Sequence, residues 1–164
     1  MSDIIKFNLK ELEKLNTPFA NYILGRSYDL EENGATQDYK KALQYYMKNF
    51  DNYPLSQYSV GMSYLFGLEN ELHVDKVKGD TILKYTLPKL LQMQNGEKIE
   101  QNEMVYATFV EAAYYDLGYK FYREGVGGAV DIEKSELFLR IAKNAGLKRA
   151  IDKYKEFGYS EIER

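Results

Sequence analysis

Apolar residues recur at helical spacing along most of the chain. Leu9, Leu12 and Leu15 predict a short first helix. Pro54 stands where a fourth helix begins, a position at which the missing proline N–H costs no hydrogen bond. The pattern predicts helices near residues 8–16, 18–31, 37–50, 55–67, 75–87, 101–124 and 147–158.

One stretch departs from this even pattern. Pro88 is expected to break or kink the fifth helix, because proline cannot donate the hydrogen bond of a helix interior. Leu90 and its apolar neighbours indicate that the helix resumes and ends at Gly96. The segment 86–111 therefore reads as an elongated hairpin, which either extends the core or contacts a partner.

An internal repeat organises the helices. Three copies share an apolar residue followed by glycine, an aromatic residue three positions later, and the motif Asp-x-x-Lys followed by a small residue. The shared glycine and small residue are Gly25 and Ala42, Gly61 and Gly79, and Gly118 and Ser135. These pairs are separated by 17, 18 and 17 positions, so each copy reads as two antiparallel helices that touch at small residues.

The midpoint of each pair predicts a turn. These midpoints fall on Asn33-Gly34, on Asn70 and on Val126-Gly127, all of which are turn-forming residues. The glycine-rich stretch from Gly125 to Gly128 is therefore the turn of the third copy. It is not followed by Gly-Lys-Ser/Thr and follows no buried strand, so a phosphate site is disfavoured. The motif aspartates are predicted to cap the second helices: Asp38, Asp75 and Asp131.

The quoted pattern Ala-x-x-x-Leu-Gly-x-x-Tyr, turn, Asp-x-x-Lys-Ala resembles the Sel1-like repeat, a relative of the tetratricopeptide repeat. The second copy departs most, with Ser56 in place of the usual alanine. The resemblance implies an all-α fold, an α-α superhelix (solenoid) of about three helix-turn-helix repeats with capping helices. It predicts one domain, residues 1–164, in these parts: cap 1–17, repeats 18–53, 54–102 (with the extension) and 103–146, and capping helix 147–164.

The same resemblance implies where a partner would bind. In such hairpins the first helices line a concave face, through residues three before, one after and four after the glycine. The candidate protein-binding residues are Tyr22, Arg26 and Asp29, then Tyr58, Met62 and Leu65, then Tyr115, Tyr119 and Tyr122. Tyr22, Tyr58 and Tyr115 form either a binding ladder of tyrosines or a set of rings that pack one repeat against the next.

A second set of residues is predicted to form the core, because its members lie at helical spacing from the small contact residues. This set comprises Tyr28, Tyr64, Phe121, Tyr45, Tyr46, Leu83, Phe138 and Ile141.

Composition narrows the function classes. The 164 residues include 16 tyrosines, no cysteine and one histidine, and the formal net charge is −3. Without cysteine there is no disulfide or thiolate metal site, and the acidic balance gives no reason to bind nucleic acid. His73 reads as a solvated turn residue. With no cationic leader and no long apolar run, we expect a cytoplasmic protein without cofactor, metal or membrane contact.

The leading interpretation is a non-enzymatic adaptor that binds a protein or peptide on its concave face. A bacterial immunity or regulatory protein for one toxin or effector is an alternative within that class. A self-associating structural protein is an alternative of a different class. An enzyme with an unrecognised carboxylate site is the remaining alternative.

Overall fold

The computed structural model describes residues 6–95, 101–125 and 130–159. Within these ranges the regular elements are helices, and a single antiparallel bridge joins Leu68 to Leu72. The predicted all-α class is confirmed. The helices are α1 (Leu9–Leu15), α2 (Pro18–Leu30), α3 (Tyr39–Lys48), α4 (Pro54–Phe66), α5 (Lys76–Asn95), α6 (Gln101–Asp116), a π-helical segment (Leu117–Phe121), α7 (Ile132–Asn144) and α8 (Lys148–Glu156).

The chain divides into two compact units, Met1–Glu103 and Met104–Arg164. The first contains α1 and two helical hairpins, α2–α3 and α4–α5, and the second contains α7 and α8 packed with the π segment. The division falls next to the predicted border between repeats two and three. The single repeat domain stays a prediction.

Small residues meet across the hairpins. A Cβ atom on Gly79 would lie 2.9 Å from the carbonyl oxygen of Gly61. In the third hairpin the Ser135 hydroxyl donates a 2.6 Å hydrogen bond to the carbonyl of Gly118. Both pairs are among those that the repeat spacing predicted, because only a near-absent side chain lets two helix backbones approach so closely.

Each repeat glycine also faces one large side chain. The nearest atoms to a Cβ built on Gly25, Gly61 or Gly118 belong to Tyr46, Leu83 and Leu139 respectively. Each of these large residues follows the small residue of its copy by four positions, one helical turn. The glycine therefore seats a large side chain of the partner helix, and all three of these side chains are buried.

The motif aspartates cap the second helices, as predicted. The backbone N–H groups of Lys41, Lys78 and Lys134 donate to the Oδ1 atoms of Asp38, Asp75 and Asp131 at 3.1, 3.0 and 3.1 Å. Each bond satisfies a donor that the first turn of a helix leaves without an internal partner.

The same motif ties the second helix back to the first. The backbone N–H of the aspartate donates to a tyrosine carbonyl in every copy: Asp38 to Tyr28, Asp75 to Tyr64 and Asp131 to Tyr122. The motif lysine then places its ammonium over that same ring, at 5.0, 4.5 and 5.4 Å from the centroid. We call these contacts, formed by the motif Asp and Lys with the tyrosine, the Asp–Lys clasp.

The clasp corrects the alignment of the third copy. The predicted continuous helix over 101–124 changes to π-helical geometry at Leu117, and the Tyr122 N–H bonds to the Leu117 carbonyl five residues back. This adds one residue between the glycine and the clasp tyrosine. Tyr122, not Phe121, therefore corresponds to Tyr28 and Tyr64, and the predicted equivalence of Phe121 was wrong by one position.

Two further expectations concern the extension and the turns. α5 runs from Lys76 to Asn95 without interruption, so Pro88 does not break it. Asn33 and Gly34 have φ values of 56° and 81°, which confirms the first predicted turn. The predicted stop at Gly96 and the predicted turn at Val126-Gly127 lie outside the described residues.

The predicted core set separates into two groups. The buried members are Tyr46, Leu83, Phe121 and Phe138. The half-buried members are Tyr28, Tyr45, Tyr64 and Ile141. Tyr28 stacks on Tyr45 with ring centroids 6.0 Å apart, so these two rings cover the edge of the first hairpin rather than its centre.

Ser56 offers a stability test within α4. It is fully buried, and its hydroxyl has no hydrogen-bond partner in the described part of the chain. We expect Ser56→Ala to raise the free energy of unfolding by about 1 kcal/mol, because a buried polar group without a partner is lost. Thermal unfolding measures this. In the control Ser63→Ala, a hydroxyl that donates to the Ser59 carbonyl is removed, and stability should not rise. A stability loss in Ser56→Ala would show that its hydroxyl is bonded.

Candidate protein-binding surface

The nine residues predicted to bind a partner do not share one environment. Four are buried: Tyr22, Leu65, Tyr115 and Tyr122. Five are half-buried: Arg26, Asp29, Tyr58, Met62 and Tyr119. As placed, the first group contacts the interior of the protein itself, whereas the second group retains surface for another molecule.

Tyr22 belongs to the interior of the first unit. Its ring is 1% exposed and lies 6.4 to 6.5 Å, centroid to centroid, from the rings of Phe19, Tyr46 and Tyr53. Tyr53 is the residue that immediately precedes α4. The ring therefore packs the first hairpin against the start of the second, which is the structural role that the sequence left open.

In the second unit, α8 covers the predicted tyrosines. The Arg149 guanidinium lies 4.6 Å from the centroid of Tyr115, and the Lys153 ammonium lies 4.5 Å from that of Tyr119. Tyr115 is 8% exposed, and this burial raises the pKa of its hydroxyl although Lys153 and Arg149 act in the opposite direction. The predicted capping helix thus packs on the first helix of the third hairpin.

The two polar candidates of the first copy, Arg26 and Asp29, are each bonded to another side chain of the first hairpin. Arg26 makes a two-pronged ion pair with Glu32, with nitrogen–oxygen distances of 3.0 and 2.9 Å. Asp29 accepts a 2.9 Å hydrogen bond from the Tyr46 hydroxyl, and burial raises the pKa of the Asp29 carboxyl. The hydrogen bond between Asp29 and Tyr46 joins the end of α2 to α3, and the Arg26–Glu32 pair joins α2 to the turn that follows it.

Tyr58 and Met62 are the candidate residues of α4 that are partly exposed to solvent. They lie four residues apart, on one face of the helix, and both are half-buried. Both side chains therefore keep part of their surface accessible to another molecule.

Sequence reasoning missed an exposed apolar stripe on α5. Val77 is 77% exposed and Tyr85 is 65% exposed, with the exposed Thr81 between them at intervals of four residues. The Lys89 ammonium lies 4.0 Å from the centroid of Tyr85. The stripe could have been predicted from the sequence, because Val77 and Tyr85 lie on the side of the helix opposite the buried Leu83. We call Val77, Thr81 and Tyr85 the α5 stripe.

Three observations on the described residues bear on possible chemistry. Within residues 6–95, 101–125 and 130–159, no three His, Asp or Glu side chains are grouped so as to hold a metal ion. His73 is exposed in the turn between α4 and α5. Glu111 is buried, its Oε1 atom has no partner in the described part of the chain, and burial raises the pKa of its carboxyl.

Comparisons with known proteins find similarity among solved structures. A scan against protein-family models finds no match, and a search of curated proteins finds none. A solved Sel1 repeat protein matches the chain over most of its length. This structure, from Oxalobacter formigenes, is 21% identical with a TM-score of 0.44, and the match covers 91% of this chain and 48% of that one.

A second solved structure also matches. It is an immunity protein of Pseudomonas aeruginosa, 19% identical with a TM-score of 0.36, and the match covers 87% of this chain and 58% of that one. The chain therefore spans about half the length of these two proteins. Among the described helices, none combines the length and apolar character that a membrane crossing requires.

Proposed function

We propose that the protein is a non-catalytic interaction module that binds another protein or a peptide. The α5 stripe is the observation that carries this proposal. Val77 and Tyr85 are the two most exposed large apolar side chains in the described part of the chain and lie on one face of α5, and apolar surface grouped in this way can mark an interaction site. Tyrosine is also enriched where proteins bind each other, because its ring contributes area and its hydroxyl contributes a hydrogen bond.

The first unit has two candidate surfaces for binding the partner. The first is the α5 stripe. The second is the pair Tyr58 and Met62 on α4, which the resemblance to Sel1-like repeats assigns to a concave face. The half-buried candidates Arg26 and Asp29 belong to that second hypothesis, whereas Tyr119 lies in the second unit and is a separate candidate there. A cytoplasmic adaptor without nucleic-acid contact fits the acidic composition of the chain.

The test is an affinity capture with immobilised protein and three double variants. The variant Val77→Ala/Tyr85→Ala removes the α5 stripe, and Tyr58→Ala/Met62→Ala removes the α4 pair. The control is Leu30→Ala/Met47→Ala, because these two residues are exposed apolar side chains of the first hairpin. We expect wild type and the control to retain one partner. The α5 variant should bind that partner about tenfold or more weakly, which is the size of effect typical of a binding hot spot. Circular dichroism verifies that each variant is folded.

The outcomes separate the hypotheses. Loss from the α4 variant alone would move the site to the predicted first-helix surface. Retention by both variants would contradict both surfaces, and the absence of any specific partner would contradict the function. Light scattering on the same proteins tests self-association, in which a second copy of the chain is the partner and the affected variant becomes a monomer.

A further inference from the structure

A cleft of about 520 Å³ is lined by residues of α1, by the beginning of α2, and by Tyr53 and Glu103, all of which belong to the first unit. Its volume lies within the range of about 300–1,000 Å³ that is typical of ligand pockets, so it can admit a long side chain of another molecule. The backbone N–H of Phe7, another lining residue, donates a 2.7 Å hydrogen bond to Oδ1 of Asn33 and so joins this edge of the cleft to the first hairpin. We call this cavity the α1 cleft.

The charged side chains that line the α1 cleft are acidic. They are Glu11 and Glu103, and no lysine or arginine is among the lining residues in the described part of the chain. Glu11 shares one face of α1 with the other lining residues of that helix, whereas Lys10 and Lys14 lie outside that face. The α1 cleft is therefore a region of negative potential, and a cationic occupant complements it.

The carboxylate of Glu103 is positioned by a buried tyrosine. The Tyr53 hydroxyl donates a 2.7 Å hydrogen bond to Oε2 of Glu103, and Tyr53 is 8% exposed. Glu103 itself is half-buried, and within the described residues it is bonded through Oε2 and has no cationic partner. Its Oε1 atom is thus left to accept from an occupant, and a hydrogen bond between a carboxylate and a cation is among the strong ones.

The backbone donors that border the α1 cleft are already used, which disfavours an anionic occupant. The N–H of Glu11 donates to Oδ1 of Asn8, and the N–H of Ala20 donates to the Thr17 hydroxyl, both at 3.2 Å. These two side chains cap the beginnings of α1 and α2, where an anion would otherwise find free N–H groups.

Aromatic rings supply the apolar part of the walls. Phe7 and Phe19 both line the α1 cleft and are half-buried, and their ring centroids lie 6.1 Å apart with the planes at 75°. The faces of such rings attract cations. A guanidinium group is flat and more weakly hydrated than an ammonium group, so it stacks on aromatic faces at a lower cost of desolvation. Rings beside a carboxylate therefore favour arginine over lysine.

We propose that the α1 cleft receives an arginine side chain of a partner protein. The guanidinium donates to Oε1 of Glu103, is attracted by the Glu11 carboxylate, and packs its flat face on the phenylalanine rings. A neutral side chain would leave both carboxylates without a cation. This inference rests on the proposed function, since the arginine belongs to the bound protein, and it names the chemistry that this protein must present.

The test uses small probes and the full chain. The first probe is N-acetylarginine methylamide. The second is the matching citrulline derivative, which has nearly the same shape with a neutral urea group, and the third is the lysine derivative. Shifts of the backbone amide NMR resonances of Leu12 and Phe19 report binding. We expect saturable binding of the arginine probe in the millimolar range, with the citrulline probe about tenfold weaker and the lysine probe weaker than arginine.

Variants connect the effect to the named carboxylates. Glu103→Gln removes the charge but keeps an oxygen that accepts from the Tyr53 hydroxyl, and it should weaken the arginine probe about fivefold. Glu11→Gln should weaken it about twofold, because this carboxylate is exposed and its attraction is screened. The control is Glu13→Gln, which changes the net charge of the protein by the same amount but lies on another face of α1, outside the lining. It should leave binding unchanged.

Three results would overturn the proposal. One is equal binding of the arginine and citrulline probes by wild type, and another is tighter binding of the lysine probe than of the arginine probe. The third is a loss in Glu13→Gln as large as that in Glu103→Gln, because the attraction would then come from the net charge rather than from the α1 cleft.

The two proposals can fail separately. If the affinity capture yields a partner but the arginine probe does not bind, the α1 cleft is not an arginine site and the interaction function stands. If the probes bind as expected and no partner is captured, the α1 cleft recognises guanidinium and the proposed function is wrong.

Discussion

Replacing Gly118 by leucine is expected to lower the free energy of unfolding by about 3 kcal/mol, which is a large fraction of the stability typical of a native protein. Even a single Cβ at this position would lie 2.7 Å from Cγ of Leu139 and 2.8 Å from its backbone nitrogen. The backbone nitrogen belongs to α7 and cannot rotate away as a side chain would. The Ser135 hydroxyl, bonded to the Gly118 carbonyl, would be displaced with it.

Urea unfolding followed by circular dichroism measures this loss. Lys120→Leu is the matched control, because it introduces the same side chain two residues later at an exposed position. Gly118→Ala should lie between the two, since the helix propensity that alanine gains is about 1 kcal/mol and the clash exceeds it. Equal stability of Gly118→Leu and the control would contradict the close contact between the π segment and α7.

Deleting one residue should destabilise two equivalent helices to very different extents. Removal of Met62 from α4 would turn everything after it by about 100° relative to Gly61, and would carry Tyr64 off its clasp. We expect a loss of at least about 4 kcal/mol. Removal of Lys120 should cost less than about 1 kcal/mol, because it takes out the extra residue of the π segment and restores α-helical spacing between Gly118 and Tyr122.

The contrast is read from thermal unfolding of the two deletion variants beside wild type. A clasp that survives in the Lys120 deletion keeps the Lys134 ammonium on the Tyr122 ring, which NMR ring-current shifts of the lysine side chain report. Severe destabilisation by both deletions would show that the π segment is required for a reason other than register.

The hairpins could be predicted because their determinants are local. Gly61 and Gly79 are close along the chain, their separation determines where the turn falls, and the aspartate that caps the second helix lies in the same stretch. The π segment could not be predicted in this way. The residues from Leu117 to Phe121 have ordinary α-helical periodicity, and the extra residue becomes visible only when Tyr122 is seen to bond with Asp131 and Lys134.

The candidate site was harder to predict because burial depends on distant residues. Tyr22 and Tyr58 occupy the same position in their repeats, yet Tyr22 packs on the Tyr53 ring and is buried while Tyr58 is half-buried. Tyr115 is covered by Arg149, which lies in another helix. The α5 stripe was not predicted for a different reason. The repeat glycines identify only the face of α5 that carries Leu83, and they carry no information about the opposite face.

The Asp–Lys clasp bears on how such hairpins can diverge. The number of residues between the clasp tyrosine and the aspartate differs in all three copies, from Tyr28 to Asp38, from Tyr64 to Asp75 and from Tyr122 to Asp131. Lengthening a closed loop costs little conformational entropy, whereas the contacts at its base are the same in each copy. The turns are therefore the places where insertions can accumulate in evolution, or where a foreign recognition loop can be grafted, without moving the helices that the clasp joins.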